Sequence, residues 1–370
     1  MNLRWKPIPV LAAAACAAAL VSTPAAADTH STKAGAPPGV SRVLASTLNG
    51  PRQVSASHGR LYVAESDTGQ ITSINPRTQG TRVVVTGLAS PQGVVRIGGK
   101  IYVATGGAED SGPGAQDAPA IMVARPGQAA TRFADMLGYE LAHNPDGQTQ
   151  FGPDGKPVDA LSNPYFLLRD RSRHGFLLVA DAGGNAVLKV SRSGKVSTLF
   201  VPPTITTGGC ATTPENDPGT FGCDSVPTGL AYGPDGLLYV SALTSEVAGQ
   251  GRVYVVNPRT GKRVRTISGL TAPTGVAVDS RRNVYVSQVL EGAPEGDGPP
   301  PAGFDPADVG QIVRVSRDGR RSYAQVTMPS GLLWRHGTLI SSTWAIAAFL
   351  QIPDAGQVVT VDPRAFIPTS

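Results

Sequence analysis

Six residues occupy the same place in six related stretches of this chain. Arg52, Gln92, Tyr165, Thr228, Thr274 and Ser330 each follow a proline that opens a short apolar run. They offer three hydroxyls, an amide, a phenol and one guanidinium. Such groups hydrogen-bond to a sugar, a peptide or an anionic group, whereas a divalent cation needs carboxylates and carbonyls. These six are the expected ligand-binding set. No catalytic residue and no metal ligand is assigned, and no cofactor is expected. The sequence has no GxSxG elbow, HExxH helix, Walker A loop or GxGxxG turn after a strand. Of its five histidines only His143 falls in a long loop, where Asp146 and Asp154 make it read as a solvated loop residue. Asp181 and Asn185 read as turn residues that bond backbone amides.

The elements that must position these side chains repeat. Each repeat starts at a proline, often with glycine close behind: Pro51, Pro91, Pro164, Pro227, Pro273 and Pro329. A tight turn follows, then a second strand such as Leu61-Tyr62-Val63, Ile101-Tyr102-Val103 or Leu238-Tyr239-Val240. A third strand such as Ile71–Ile74 or Val253–Val256 and a fourth β-rich strand complete the unit. Four short strands repeated six times predict an all-β, six-bladed β-propeller over 40–370. The recurring Tyr62, Tyr102, Tyr239 and Tyr285 should fill the wedges between blades.

The last repeat ends after its third strand, near Val361, while an orphan strand, Ser41–Ala45, precedes the first. The orphan is expected to complete the sixth blade beside 357–362 and so cover an open sheet edge. Because strands within a blade alternate in direction, first-to-second and third-to-fourth turns share one face. These are short, as in His58-Gly59, Asp235-Gly236 and Asp318-Gly319. The long insertions, 105–119, 135–160, 202–225, 289–309 and 343–356, all fall on the other face, where function is expected. In the last of them, Trp344, Ile346, Phe349 and Leu350 should bury against a neighbouring blade.

Composition agrees with that architecture. The 370 residues include 44 glycines and 32 prolines, about a fifth of the chain and well above the usual share. With 41% apolar residues the chain can still build a large core. A formal charge of +5 without a long basic run gives no case for nucleic acid. Residues 1–27 read as a signal peptide: Arg4 and Lys6, an apolar stretch of about 14 residues, then Ala25-Ala26-Ala27 before the expected cleavage. That stretch is too short to span a bilayer, and no membrane span is expected. Residues 28–39 read as a flexible leader. Export to the extracellular space or cell envelope permits a disulfide, and Cys210 and Cys223 are the expected pair.

Several phrases resemble the ScyD/ScyE family. They are Gly138-Tyr139-Glu140, His143-Asn144-Pro145-Asp146-Gly147, Ser162-Asn163-Pro164-Tyr165, Val179–Asn185 and Val226-Pro227-Thr228-Gly229 running on to Tyr239-Val240. The resemblance implies an exported, NHL-like propeller. After Thr244 the chain departs from the family pattern with Ser245-Glu246-Val247, so pigment synthesis is not carried over. Calcium-dependent gluconolactonase-like hydrolases give the alternative, with a degenerate channel site. Their Glu-Gly-Pro, Pro-Asn-Gly and Pro-Asp-Gly phrases are matched here by Asn49-Gly50-Pro51, Pro227-Thr228-Gly229 and Pro273-Thr274-Gly275. The expectation is therefore a secreted binding or scaffold propeller. Its partner, a small molecule, glycan or peptide, should meet Arg52 and the polar ring on the insertion-bearing face, between walls formed by 135–160 and 202–225.

Overall fold

A computed structural model describes residues 39–107, 115–158, 160–172, 175–294 and 301–368. The signal peptide and nearly all of the leader read from the sequence lie outside the described residues, as do parts of the 105–119 and 289–309 insertions. No described helix is long and apolar enough to cross a membrane.

The β-branched runs form six antiparallel sheets, each ordered from an inner strand outward. The inner strands are Pro51–Ser57, Pro91–Ile97, Pro164–Arg169, Pro227–Tyr232, Pro273–Val278 and Leu332–Arg335. The result is a six-bladed propeller whose core lies between adjacent sheets. Phe166, Leu178 and Val187 of blade three, for example, pack on Leu230, Val240 and Tyr254 of blade four. Each such large side chain contributes roughly 1.5–3 kcal/mol by leaving water. The four repeated tyrosines are buried in these wedges. Tyr102 meets Phe133 and Phe176 edge-on, with centroids 5.2 and 5.0 Å apart.

The orphan strand closes the ring. Val40–Leu48 runs antiparallel to Gly356–Val361, with Val40 opposite Val361 and Val43 opposite Val359. Leu44, Ala45 and Leu48 then pack with Leu61 and Ile74 of blade one.

Two elements go beyond the sequence reading. Ile367–Pro368 adds a fifth strand to blade five, opposite Tyr323 and Ser322. It brings Phe366 edge-on to Tyr285 at 5.6 Å. Within the 135–160 insertion, Met136–His143 is helical, capped by Asp135, whose Oδ1 accepts from the Gly138 amide at 3.0 Å. At eight residues the helix is too short to announce itself by periodicity.

Candidate functional site

The site is built where the six inner strands converge on the axis. In four repeats the second residue after the proline is glycine, and the reason is contact. A Cβ at Gly275 would lie 2.3 Å from the Ser330 carbonyl oxygen, and one at Gly331 would lie 2.6 Å from that of Arg52. At Gly229 it would lie 3.0 Å from the Gly275 Cα, and at Gly93 2.9 Å from the Leu167 nitrogen. Neighbouring inner strands thus meet backbone to backbone and pinch the channel shut. The other two repeats place Gln53 and Phe166 at this level. Gln53 is buried, and its Oε1 accepts from the amides of both Val94 and Leu167 at 2.9 Å.

The six expected ligand residues lie one position earlier, on the insertion side of the pinch. The structure brings them into one ring, yet none is more than 3% exposed. Most of their polar atoms turn to neighbouring strands and loops, while Arg52 Nε and Gln92 Oε1 are buried without a hydrogen bond. Thr228 Oγ1 donates to the Pro273 carbonyl at 2.7 Å and Thr274 Oγ1 to that of Pro329 at 3.1 Å. Tyr165 and Ser330 share a hydroxyl contact of 3.3 Å. Arg52 Nη1 donates to the Ala345 carbonyl at 2.7 Å, and Gln92 Nε2 to Ser90 Oγ at 2.8 Å. The ring therefore ties blades together instead of lining an open mouth.

Above it sits the last insertion. Ile346 and Leu350 pack with Tyr165, Val226, Leu243, Ala272, Val289 and Met328, contributed by blades three to six and their links, with Trp344 and Phe349 against the same cluster. This apolar plug covers the ring.

The channel is enterable from the opposite face. The later halves of the inner strands line a cavity of about 350 Å³, with Val54, Val95, Leu167, Leu230, Val276 and Leu332 among its walls. Arg96, Arg169, Arg171, Tyr232 and Trp334 complete the lining toward the short turns. A second cavity of about 560 Å³ shares Ile97, Leu168, Arg169 and Arg171 with it, and adds Asp170, Ser172, Phe176 and Arg192. Asp170, Arg171, Ser172, Phe176 and Arg192 sit in connections between strands, on the face where the sequence predicts tight turns. Their signal was the run Arg169-Asp170-Arg171 beside a turn that also holds Arg192 one strand pair away.

On the insertion face the two longest loops bond to each other. Gln148 Nε2 donates to Asp224, and the Thr149 amide and hydroxyl both donate to Asp217, the amide at 2.8 Å. Asn185 Nδ2 donates to Asp146 at 3.0 Å. Burial pushes the Asp224 carboxyl up to about 6, opposed by the Gln148 hydrogen bond and reinforced by the Asp146 and Glu215 charges. Glu246 lies in a turn where Thr244, Ser245 and Glu246 all have positive φ, and burial alone raises its carboxyl to about 7. Cys210 and Cys223 form the expected disulfide in the same region, with Cα atoms 5.3 Å apart. Asp181 holds its turn: it accepts from the Asn163 and Gly184 amides at 2.6 and 3.1 Å and from the Ser162 hydroxyl. His143 ends the helix, stacked on Tyr139 with centroids 4.2 Å apart.

Calcium does not fit the ring. The Thr228 and Thr274 hydroxyls donate to carbonyls, Asn49 pairs with Asp354, and Arg52 places a positive charge at the same level. Asn163 Oδ1 and Gln92 Oε1, both buried without a hydrogen bond, are neutral oxygens and bring no carboxylate charge. Among the described residues no three His, Cys, Asp or Glu side chains are placed to hold a metal ion.

No family model matches the chain, and no curated protein matches it as a relative. Its likeness to known proteins is one of fold. The PQQ-bound aldose sugar dehydrogenase of Streptomyces coelicolor superposes with a TM-score of 0.54 at 13% identity, over 88% of this chain and 99% of the other. A gluconolactonase from Xanthomonas campestris gives 0.53 at 12%, over 86% and 89%. Regucalcin from Agrobacterium tumefaciens, a calcium-binding protein, gives 0.50 at 13%, over 88% and 95%. The chain shares the six-bladed β-propeller fold with these neighbours. At such identities the likeness extends to the fold alone.

Proposed function

We propose that this protein is an exported binding propeller that takes a small ligand into the blind end of its channel from the short-turn face. One observation carries the reading: a glycine pinch and an apolar plug close the insertion end, while the opposite end keeps a cavity of about 350 Å³. That volume falls in the range of small-molecule sites, which are concave and mostly apolar. The disulfide and the resemblance to the ScyD/ScyE family support export. The insertions then act as a lid over the closed end and as a scaffold.

The test uses a neutral apolar fluorophore, N-phenyl-1-naphthylamine. Its emission should rise on adding the protein, and Ala231→Trp, which puts an indole into the cavity wall, should remove most of that rise. Arg52→Lys, on the far side of the pinch, should leave it unchanged. A fluorophore that ignores Ala231→Trp in a variant of normal melting temperature would overturn the reading.

A further inference from the structure

The cavity beside the channel mouth is unusual in its charge. Arg169, Arg171 and Arg192 all line it, and Asp170 is its one carboxylate. That carboxylate is already engaged: Oδ1 accepts from the Ser172 amide at 2.8 Å and from Tyr232 Oη at 3.3 Å, and Oδ2 accepts from the Ser172 hydroxyl at 2.8 Å. Two of the arginines are held against rings, and none of the three is ion-paired among the described residues. Arg171 stacks on the Tyr232 ring at 4.5 Å and Arg192 over Phe176 at 5.4 Å. The ion pairs among the described residues are Arg320–Asp318 and Arg364–Asp362, both elsewhere. Three like charges gathered around one concavity repel one another, and a bound anion relieves that repulsion. Guanidinium groups suit this task, because their planar forks bond carboxylate, sulfate and phosphate oxygens in pairs.

The arginine cavity adjoins the apolar channel, since Ile97, Leu168, Arg169 and Arg171 line both. A ligand with its body in the channel would therefore present one end to the guanidinium groups. We propose that the ligand is an amphipathic organic anion, with a carboxylate, sulfate or phosphate monoester at Arg169, Arg171 and Arg192 and an apolar body in the channel. This rests on the channel reading above and adds the chemistry of the ligand's head.

Calorimetric titration with four probes tests it: decanoate, decyl sulfate, the neutral decanol, and acetate as a head without a body. Decanoate and decyl sulfate should bind at least tenfold more tightly than decanol at low salt, and acetate should not bind measurably. The preference should shrink at high salt as the charges are screened. In the variant Arg169→Gln/Arg171→Gln/Arg192→Gln the decyl anions should fall to the affinity of decanol, with decanol itself unchanged. Equal binding of decanol and decanoate by the unaltered protein would overturn the anion site and leave the channel reading standing. So would a preference that survives in the triple variant. Failure of all the decyl probes to bind would overturn both readings, and acetate binding as tightly as decanoate would remove the amphipathic part.

Discussion

The side chain of Gln53 bonds both main-chain groups of Leu167, accepting from its amide at 2.9 Å and donating to its carbonyl at 2.6 Å. The same oxygen also takes the Val94 amide at 2.9 Å. One carboxamide from blade one therefore stands in for a strand edge toward blades two and three, at the level where the channel closes. Replacing it by leucine would keep the bulk and strand three buried backbone groups. Each costs about 1–3 kcal/mol when left unpaired. Gln53→Leu should lower unfolding free energy by about 3 kcal/mol or more in urea, a loss that Arg52→Lys should not reproduce.

The pinch makes an equally direct prediction. Gly275→Ala would place a methyl carbon 2.3 Å from the Ser330 oxygen, which belongs to the backbone leading into the neighbouring inner strand and cannot swing away. Overpacking of this kind costs about 1–3 kcal/mol. Gly80→Ala meets only the end of the Thr78 side chain, 3.4 Å away, and should be close to neutral. Thermal unfolding of the two variants side by side checks the contrast.

Glu246 should make stability fall as pH rises. Burial lifts its carboxyl from an ordinary 4.5 to about 7, so between these values the native state holds a proton that the unfolded chain has released. Stability is therefore lost from about pH 4.5 to about pH 7 and is level above that. Allowing for solvent screening, the penalty is about 2 kcal/mol. Glu246→Gln should be more stable than the unaltered protein by that amount at pH 8, and no more stable at pH 4. Denaturant titrations at both values decide it.

The Cys210–Cys223 bridge closes a loop with a sequence separation of 13. A loop of that size restrains the unfolded chain by about 3 kcal/mol. Reduction, or Cys210→Ser with Cys223→Ser, should lower the urea midpoint accordingly. The change should also loosen the Ile205–Cys223 bridge, which hydrogen exchange at those two amides would register.

The sequence was most legible where a pattern repeats locally. Alternation and turn residues located the strands, and the orphan Ser41–Ala45 could be assigned because blade six lacked an outer strand. Burial of the ring was not legible. It depends on strands far apart in the sequence touching at Gly93, Gly229, Gly275 and Gly331, and a glycine in a sequence does not say what it touches. The plug was half visible: the apolar run Trp344–Leu350 was expected to bury against one blade, but its contacts reach blades three to six. The arginine cavity was hidden because Arg169 ends an inner strand and Arg171 and Arg192 lie in the connections beside it, where charged residues ordinarily face water. Ile367–Pro368 gave no signal, as two residues carry no period.

Ser41 bonds Thr360 across 319 positions of chain. In a chain made from its N-terminus at roughly 10 residues per second, that separation is on the order of half a minute of synthesis. Through that interval the first strand has no partner, although the inner hairpins of the early blades can already form from neighbouring sequence. Joining the two ends is thus among the latest events in the life of the nascent molecule. A copy that stops short of it presents two bare sheet edges, each able to recruit a second unfinished copy.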